Sequence, residues 1–483
     1  MRYFRISIWL IYNLGFLLYS CNVTSQGSLS TEIAEIMASP QSQHAVFAIS
    51  VRDNSGTEVY QHQSRSRMIP ASTYKLITTL SALDILGSDY AFETQVSYRG
   101  NIDDGVLYGD VIVTGTGDPS LGATRYAGDD AYEEVLRDVT SYVRDAGIKK
   151  IKGRIVVDQS YFDKTWVHPS WAWDDLTNYF AGGAAAFNIH ENLFFLDFKR
   201  SPDPDQPTTI SSISPPMDDL EWTNYVKTGP KGSGDNAYIY GDPYGKKRWI
   251  EGTIPPGSSV FTIKGAMPDP GLAFINHLTD HLQRDGLEVE GQAFRFGTDT
   301  PSQLLGMLCS DKLVDLAIFA NHTSNNLFCE SIFKKIGARS SGIGGYDAGQ
   351  KALYDYLESA GLDITGIRLE DGAGLSFRNR ISPSFMTSFL TYQTKGKGRD
   401  VIKQLIPQPG SQGTVKSFLE GYDSQSQVQV KSGSINNVIA YAGLLKSQKG
   451  QDFSICIMAN GHDSNRVVRG QLEKIIEAMY KRL

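Results

Sequence analysis

The chain has 483 residues, with 46 Lys and Arg against 53 Asp and Glu and a formal charge of −7. That length exceeds what a single hydrophobic core usually serves, so two or three domains are expected, and 41% hydrophobic with 20% charged residues excludes a disordered or collagen-like chain. The mild acidity, with no long basic run, argues against a nucleic-acid partner, and four cysteines without a C-x-x-C pair argue against a zinc ribbon or a disulfide scaffold.

Arg2 and Arg5 precede an apolar run over 6–18 and then Tyr19-Ser20-Cys21, the pattern of a secretory leader over 1–21. The run falls short of the roughly 20 apolar residues that span a membrane. Leu18-Tyr19-Ser20-Cys21 is also similar to a bacterial lipobox, in which Cys21 would carry a lipid and tether the protein to a membrane; ordinary cleavage near Ser20 is the other reading. Cys309, Cys329 and Cys456 then remain, an odd number, and are expected to be buried thiols.

A short helix is expected over 30–37, followed by a buried strand over 44–51, a turn at Asn54-Ser-Gly56 and a returning strand over 58–61. Pro70-Ala-Ser-Thr-Tyr-Lys75 opens a helix that runs to 86 and stops at Gly87. Over 92–301 the texture changes to short strands and Gly, Pro and Asp turns, which predicts an inserted β-rich region with a nested module around 190–262. Helical patterns return over 304–335, 346–361 and 383–396. Strands over 427–431, 439–445 and 453–458 precede an amphipathic helix over 465–483. One sheet built from both chain ends, over 28–91 and 302–483, is the expected outcome, with 92–301 inserted into it.

Ser72-Thr-Tyr-Lys75 places a hydroxyl and an amine one helical turn apart, where a neutral lysine can take the serine proton. Alone the pattern is weak: Ser331-Ile-Phe-Lys334 repeats it, and Ser72 taken by itself is better read as a helix cap. Ser324-Asn-Asn326 supplies S-x-N at the start of a helical run, and Lys431-Ser-Gly433-Ser434 supplies K-[ST]-G at the end of a β stretch. Lys227-Thr-Gly-Pro230 is a second K-T-G, but it lies upstream of Ser324, in an expected loop, and its proline lacks the N–H that an oxyanion hole needs. His277 and His281 have zinc-compatible i, i+4 spacing without a Glu between them in the H-E-x-x-H position or a third ligand, so they are read as surface or packing residues and no metal is expected. Trp166, Trp171 and Trp173 are read as core before a glycan platform.

The three elements in this order resemble those of the D-Ala-D-Ala carboxypeptidase/endopeptidase family, the class C low-molecular-mass penicillin-binding proteins. Asp371-Gly-Ala-Gly-Leu-Ser376 resembles that family's D-G-S-G-L-S block, Gly115-Thr-Gly-Asp-Pro119 its G-G-D-P segment, and Gly413-Thr-Val415 its G-T-[LV] helix start. Ser432 stands for the commoner Thr and Ala373 for the commoner Ser. The resemblance implies a three-layer α/β fold with a central antiparallel sheet, interrupted by β-rich insertions. It implies an exported enzyme of the bacterial periplasm or envelope, without a cofactor, acting on peptidoglycan peptides and acylated by β-lactams. Ser72 would be the nucleophile and Lys75 its base, kept neutral by burial and by Lys431 nearby. Ser324 would relay a proton to the leaving amine and Asn326 would hold the acyl side-chain amide. Lys431 and Ser432 would bind the terminal carboxylate, and the N–H groups of Ser72 and Ser434 would form the oxyanion hole. A β-lactamase or a non-hydrolytic cell-wall-binding protein on the same scaffold are the alternatives.

Overall fold

The structure is a computed structural model that describes residues 29–291, 294–295, 302–396, 399–411 and 413–483. The expected leader, with Cys21, lies outside the described residues. The chain forms two compact units. One holds the residues up to Leu76, Gly361–Arg368 and Asn379–Leu483; the other holds Ile77–Ala360 and Leu369–Arg378.

The first unit is built on a five-stranded sheet in the order Glu58–His62, Val46–Asp53, Asp452–Asn460, Val438–Lys446, Val428–Ile435, antiparallel throughout. An early hairpin therefore pairs with three strands from the far end of the chain, as the pattern of apolar runs predicts. Side chains alternate between the two faces of each strand. Ile49, Val51, Ile455 and Ile457 enter a core with Val468, Leu472, Ile475 and Ile476 of the helix Asn465–Arg482. On alternate positions, Ser50 Oγ lies 2.8 Å from Thr387 Oγ1 and Ser454 Oγ 3.0 Å from Thr391 Oγ1, both partners on the helix Pro383–Lys395. Helices thus lie against both faces. Each is stopped from fraying by a serine cap: Ser464 accepts from the Val467 N–H and Ser382 from the Phe385 N–H.

The second unit contains an antiparallel run of Gln303–Cys309, Glu93–Asp103 and Val106–Thr114, extended by the parallel strands Lys150–Ile151 and Ile155–Asp158. Helices Ala131–Asp145 and Pro270–Arg284 cover it with Leu136, Val139, Phe274 and Leu278. Smaller sheets include Thr209–Ser214, Leu193–Lys199 and Phe261–Ala266 in one, and Tyr238–Gly241, Lys247–Glu251 and Glu221–Asn224 in another. They share a core of Phe194, Leu196, Ile239 and Ile250.

Four expectations are corrected, one of them that Trp173 is a core residue like Trp166 and Trp171: it is exposed. The helical pattern over 304–335 begins as a strand, because Gln303–Cys309 pairs with the strand Glu93–Asp103 and Gly306 lies under the Tyr142 ring; a short apolar run carries no period of its own, so pairing decides. Lys227–Thr228 is a short strand parallel to Thr253–Ile254, not a loop. Cys329 and Cys456 are buried, but Cys309, at the end of its strand, is exposed.

Asp118, in the Gly115-Thr-Gly-Asp-Pro segment, is buried and accepts from the Ser120 N–H at 2.8 Å and the Ser120 hydroxyl at 2.6 Å. Burial pushes its carboxyl up to about 6; the Ser120 bonds oppose this and the Asp311 carboxylate adds to it. Between about pH 4 and 6 the folded chain keeps a proton that the unfolded chain has released, so this contribution is complete below about 4 and lost above about 6. Urea unfolding at pH 4, 5 and 6 should therefore show a fall in stability with pH that Asp118→Asn flattens. In the first unit, Ile457→Ala empties a fully buried site and should cost about 2–5 kcal/mol by the same measurement.

Candidate active site

A single 3₁₀ turn, Ala71–Tyr74, leads from Pro70 into the helix Lys75–Leu86, a tighter entry than a regular helix start. Ala71 has φ of +45°, a left-handed conformation that a residue with a Cβ adopts only when its surroundings hold it there. It directly precedes Ser72. Lys75 Nζ donates to Ser72 Oγ at 2.8 Å. The lysine is fully buried while Ser72 is half-buried, so the hydroxyl faces outward and the amine stands beneath it.

The K-S-G element lies on the edge strand Val428–Ile435 of the same unit. Val428 and Val430 join the core, which turns Lys431 and Gly433 to the other face. A Cβ on Gly433 would lie 2.7 Å from the Pro70 carbonyl O and 2.9 Å from the amide N atoms of Ser72 and Thr73, so only glycine lets the strand press against that turn. Lys431 is fully buried, and its Nζ donates to the Ser432 carbonyl O at 2.8 Å. Ser432 Oγ lies 2.8 Å from Thr414 Oγ1, and the exposed Ser434 accepts a 3.4 Å bond from Asn465 Nδ2. Ser72, Lys75, Lys431, Ser432 and Ser434 thus belong to one neighbourhood of the first unit. Thr414 was missed as a site residue. Its place in the Gly413-Thr-Val415 motif was the available signal.

Ser324 and Asn326 belong to the second unit. Ser324 has φ of +58° and ends the helix Leu313–Thr323; Asn325 then caps the helix Asn326–Ser341 by accepting from the Phe328 N–H at 3.2 Å. The S-x-N element is therefore a break between two helices. Asn325 Nδ2 donates to the buried Glu191, whose carboxylate also receives Arg125 Nε at 2.8 Å. Asn326 Nδ2 donates to the Phe180 carbonyl O at 2.6 Å.

One turn further along that helix, the buried Glu330 accepts from the N–H groups of Gly372 and Ala373 at 2.8 and 2.7 Å. Asp371 accepts from Trp171 Nε1 at 2.9 Å and from the N–H groups of Gly374 and Ser376 at 2.8 and 2.6 Å. Thr78, three residues after Lys75, donates to the Gly372 carbonyl O at 2.7 Å. The 371–376 block is a turn fastened by two carboxylates. Glu330 also went unrecognised; an acid inside a helix flanked by Phe328, Ile332 and Phe333 was its only mark.

The decoys have other uses. Lys334 is buried and donates to the carbonyls of Thr165 and Ala184 at 2.6 and 3.0 Å; burial lowers its amine to about 8, with Asp163 at 3.3 Å opposing. Ser331 Oγ accepts from Asn188 Nδ2 at 3.3 Å. His277 binds Tyr132 through Nδ1 and the Pro216 carbonyl through Nε2, and His281 binds Thr140. Among the described residues no group of three or more His, Cys, Asp or Glu could hold a metal ion. A cavity of about 790 Å³ in the second unit, lined by Arg125, His190 and His277 among others, contains none of the motif residues.

A model of the D-Ala-D-Ala carboxypeptidase 3 (S13) family matches residues 29–479. A D-alanyl-D-alanine carboxypeptidase of Actinomadura sp. (strain R39) is 26% identical over 472 residues, which cover 91% of this chain and 82% of the relative. The D-alanyl-D-alanine carboxypeptidase DacB of Haemophilus influenzae is 25% identical over 415 residues, covering 85% and 84%. The crystal structure of penicillin binding protein 4 (dacB) from Haemophilus influenzae shares the fold with a TM-score of 0.80 and 23% identity, over 93% of this chain and 99% of that one. The same protein complexed with a novel β-lactam gives a TM-score of 0.77 at 21% identity over the same shares. The chain belongs to the D-Ala-D-Ala carboxypeptidase 3 (S13) family.

Proposed function

We propose that this carboxypeptidase cleaves peptidoglycan stem peptides, and their cross-links, at D-Ala bonds through an acyl-enzyme on Ser72. The observation that carries the assignment is the 2.8 Å contact between the half-buried Ser72 hydroxyl and the fully buried Lys75 amine. Removal from water disfavours the ammonium form, and a second buried amine, Lys431, disfavours it further, so Lys75 can accept a proton. The Ser72 Oγ–H proton passes to Lys75 Nζ as Oγ bonds to the substrate carbonyl carbon. The carbonyl oxygen gathers negative charge, for which the N–H groups of Ser72 and Ser434 are the donors. Collapse expels D-alanine or a cross-linked amine, protonated by way of Ser324, and water then releases the acyl group and regenerates Ser72. Asn326 orients the acyl side chain. The Ser432 hydroxyl, paired with Thr414, meets the terminal carboxylate with Lys431 supplying positive charge behind it.

β-Lactams acylate Ser72 in the same way, their ring amide taking the place of the peptide bond; the β-lactam complex of the Haemophilus influenzae protein supports this reading. Export to the periplasm or cell envelope through the leader over 1–21 completes the proposal, and intact mass of the exported protein decides whether Cys21 is lipidated. Among the described residues no helix is long and apolar enough to cross a membrane. Traced along the chain, the peptidase domain is 28–91 with 302–483, and 92–301, with a nested module around 190–262, is inserted into it; the small sheets within that region support an insertion, while Gln303–Cys309 pairs with the inserted strand Glu93–Asp103.

Two experiments test the site. Fluorescent penicillin should label the wild type and the Ser331→Ala variant alike and leave Ser72→Ala unlabelled, while muropeptide digestion followed by mass spectrometry shows pentapeptides and cross-linked dimers disappearing. Labelling without peptide release would instead identify a binding protein, and rapid drug turnover a β-lactamase. Gly433→Ala forces the strand away from the nucleophile turn and should slow labelling by about a hundredfold or more, since misplacement by an ångström is that costly.

A further inference from the structure

The second unit carries a cluster of exposed aromatic rings on one of its small sheets. Tyr240 and Trp249 are directly opposed on the paired strands Tyr238–Gly241 and Lys247–Glu251, so their side chains share one face. Trp173 completes a triangle with them. Ring centroids lie 5.6 Å apart for Trp173 and Tyr240, 5.7 Å for Tyr240 and Trp249, and 6.0 Å for Trp173 and Trp249, with interplanar angles of 23°, 21° and 41°. A column of three stacked rings would hold its outer members roughly 11 Å apart, twice the offset-stacking distance. Three nearly equal separations, two of them between near-parallel rings and one between tilted ones, mean a triangular cluster of offset rings and not a column. Tyr238 extends the row at 6.4 Å from Tyr240.

This face meets water: Trp173 is 59% exposed and Tyr238 43%. None of the four rings belongs to the core formed by Phe194, Ile239 and Ile250 on the same sheets. The border is polar and net negative. The Tyr240 hydroxyl is pushed up by burial first and by the Glu251 and Asp174 carboxylates after it, and Lys247 stands two residues from Trp249 on the same face. Carboxylates at the border repel a peptide that ends in a carboxylate and accept from a ligand rich in O–H and N–H donors.

We propose that this cluster binds the amino-sugar strand of peptidoglycan, with the C–H face of a pyranose on Trp173 and Tyr240 and its hydroxyl and N-acetyl N–H groups donating to Asp174 and Glu251. The assignment rests on the reading of the chain as a peptidoglycan peptidase, and adds to it a contact with the glycan that carries the stem peptides. It gives the enzyme a hold on polymeric substrate that a free peptide lacks.

Titration of the purified full chain with peptide-free chitotetraose, followed by calorimetry and tryptophan fluorescence, tests it. The wild type should bind, Trp173→Ala should bind about tenfold more weakly or not at all, and Trp173→Phe should recover part of the loss. Cellotetraose, which lacks the N-acetyl groups, should bind more weakly. Circular dichroism of Trp173→Ala should match the wild type, because the side chain is exposed. Hydrolysis of a small soluble D-Ala-D-Ala peptide should be unchanged in Trp173→Ala while D-alanine release from intact sacculi falls. No binding by the wild type, undiminished binding by Trp173→Ala, or cellotetraose binding equal to chitotetraose would overturn the proposal. Inactivity of the wild type on the soluble peptide would overturn the peptidase reading instead, and the sugar titration is judged without it.

Discussion

The amine of Lys75, sealed from water under the Ser72 hydroxyl, is the constraint around which the first unit is arranged. An ammonium without solvent is costly, and so is a buried amine without a partner. The 3₁₀ turn with left-handed Ala71 brings the hydroxyl to the amine, and the close approach of Gly433 walls the turn from the side. A side chain at 433 would open that wall. The same small volume thus imposes a strained backbone at one residue and the absence of a Cβ at another, which are features of packing before they are features of chemistry.

The second unit spends its buried charges differently. Glu330 and Asp371 hold backbone N–H groups of the 371–376 turn, Glu191 holds Arg125 and the capping Asn325, and Lys334 fills a pocket of carbonyls. None of these four ions is left to solvent. A lysine in the right motif can therefore be structural, as Lys334 is. Its spacing from Ser331 matches that of Lys75 from Ser72, and its surroundings set it apart.

Much of this was legible in the residues. The near-continuous apolar runs in 46–53 and 452–460 announce buried strands from both chain ends, and the ordered trio at Ser72, Ser324 and Lys431 announces the family. What stayed hidden depends on contacts between distant residues. The run at 303–309 looks helical until the strand Glu93–Asp103 lies beside it, and the left-handed turn at Ser324 needs Glu191 to hold the following asparagine. The exposure of Cys309 and Trp173 is likewise a property of neighbours: cysteine and tryptophan are buried by habit, and no local pattern marks the exceptions.

The pairing of Val51 with Ile455 has a consequence for how the molecule comes to exist. The early hairpin has no central partner until about 400 further residues have been made, so this five-stranded sheet closes last and over a very long loop. During synthesis its apolar face stays open, and a nascent chain in that condition depends on being kept from its neighbours until its final helix arrives. In the second unit the pairing of Glu93–Asp103 with Gln303–Cys309 closes over about half that length of chain.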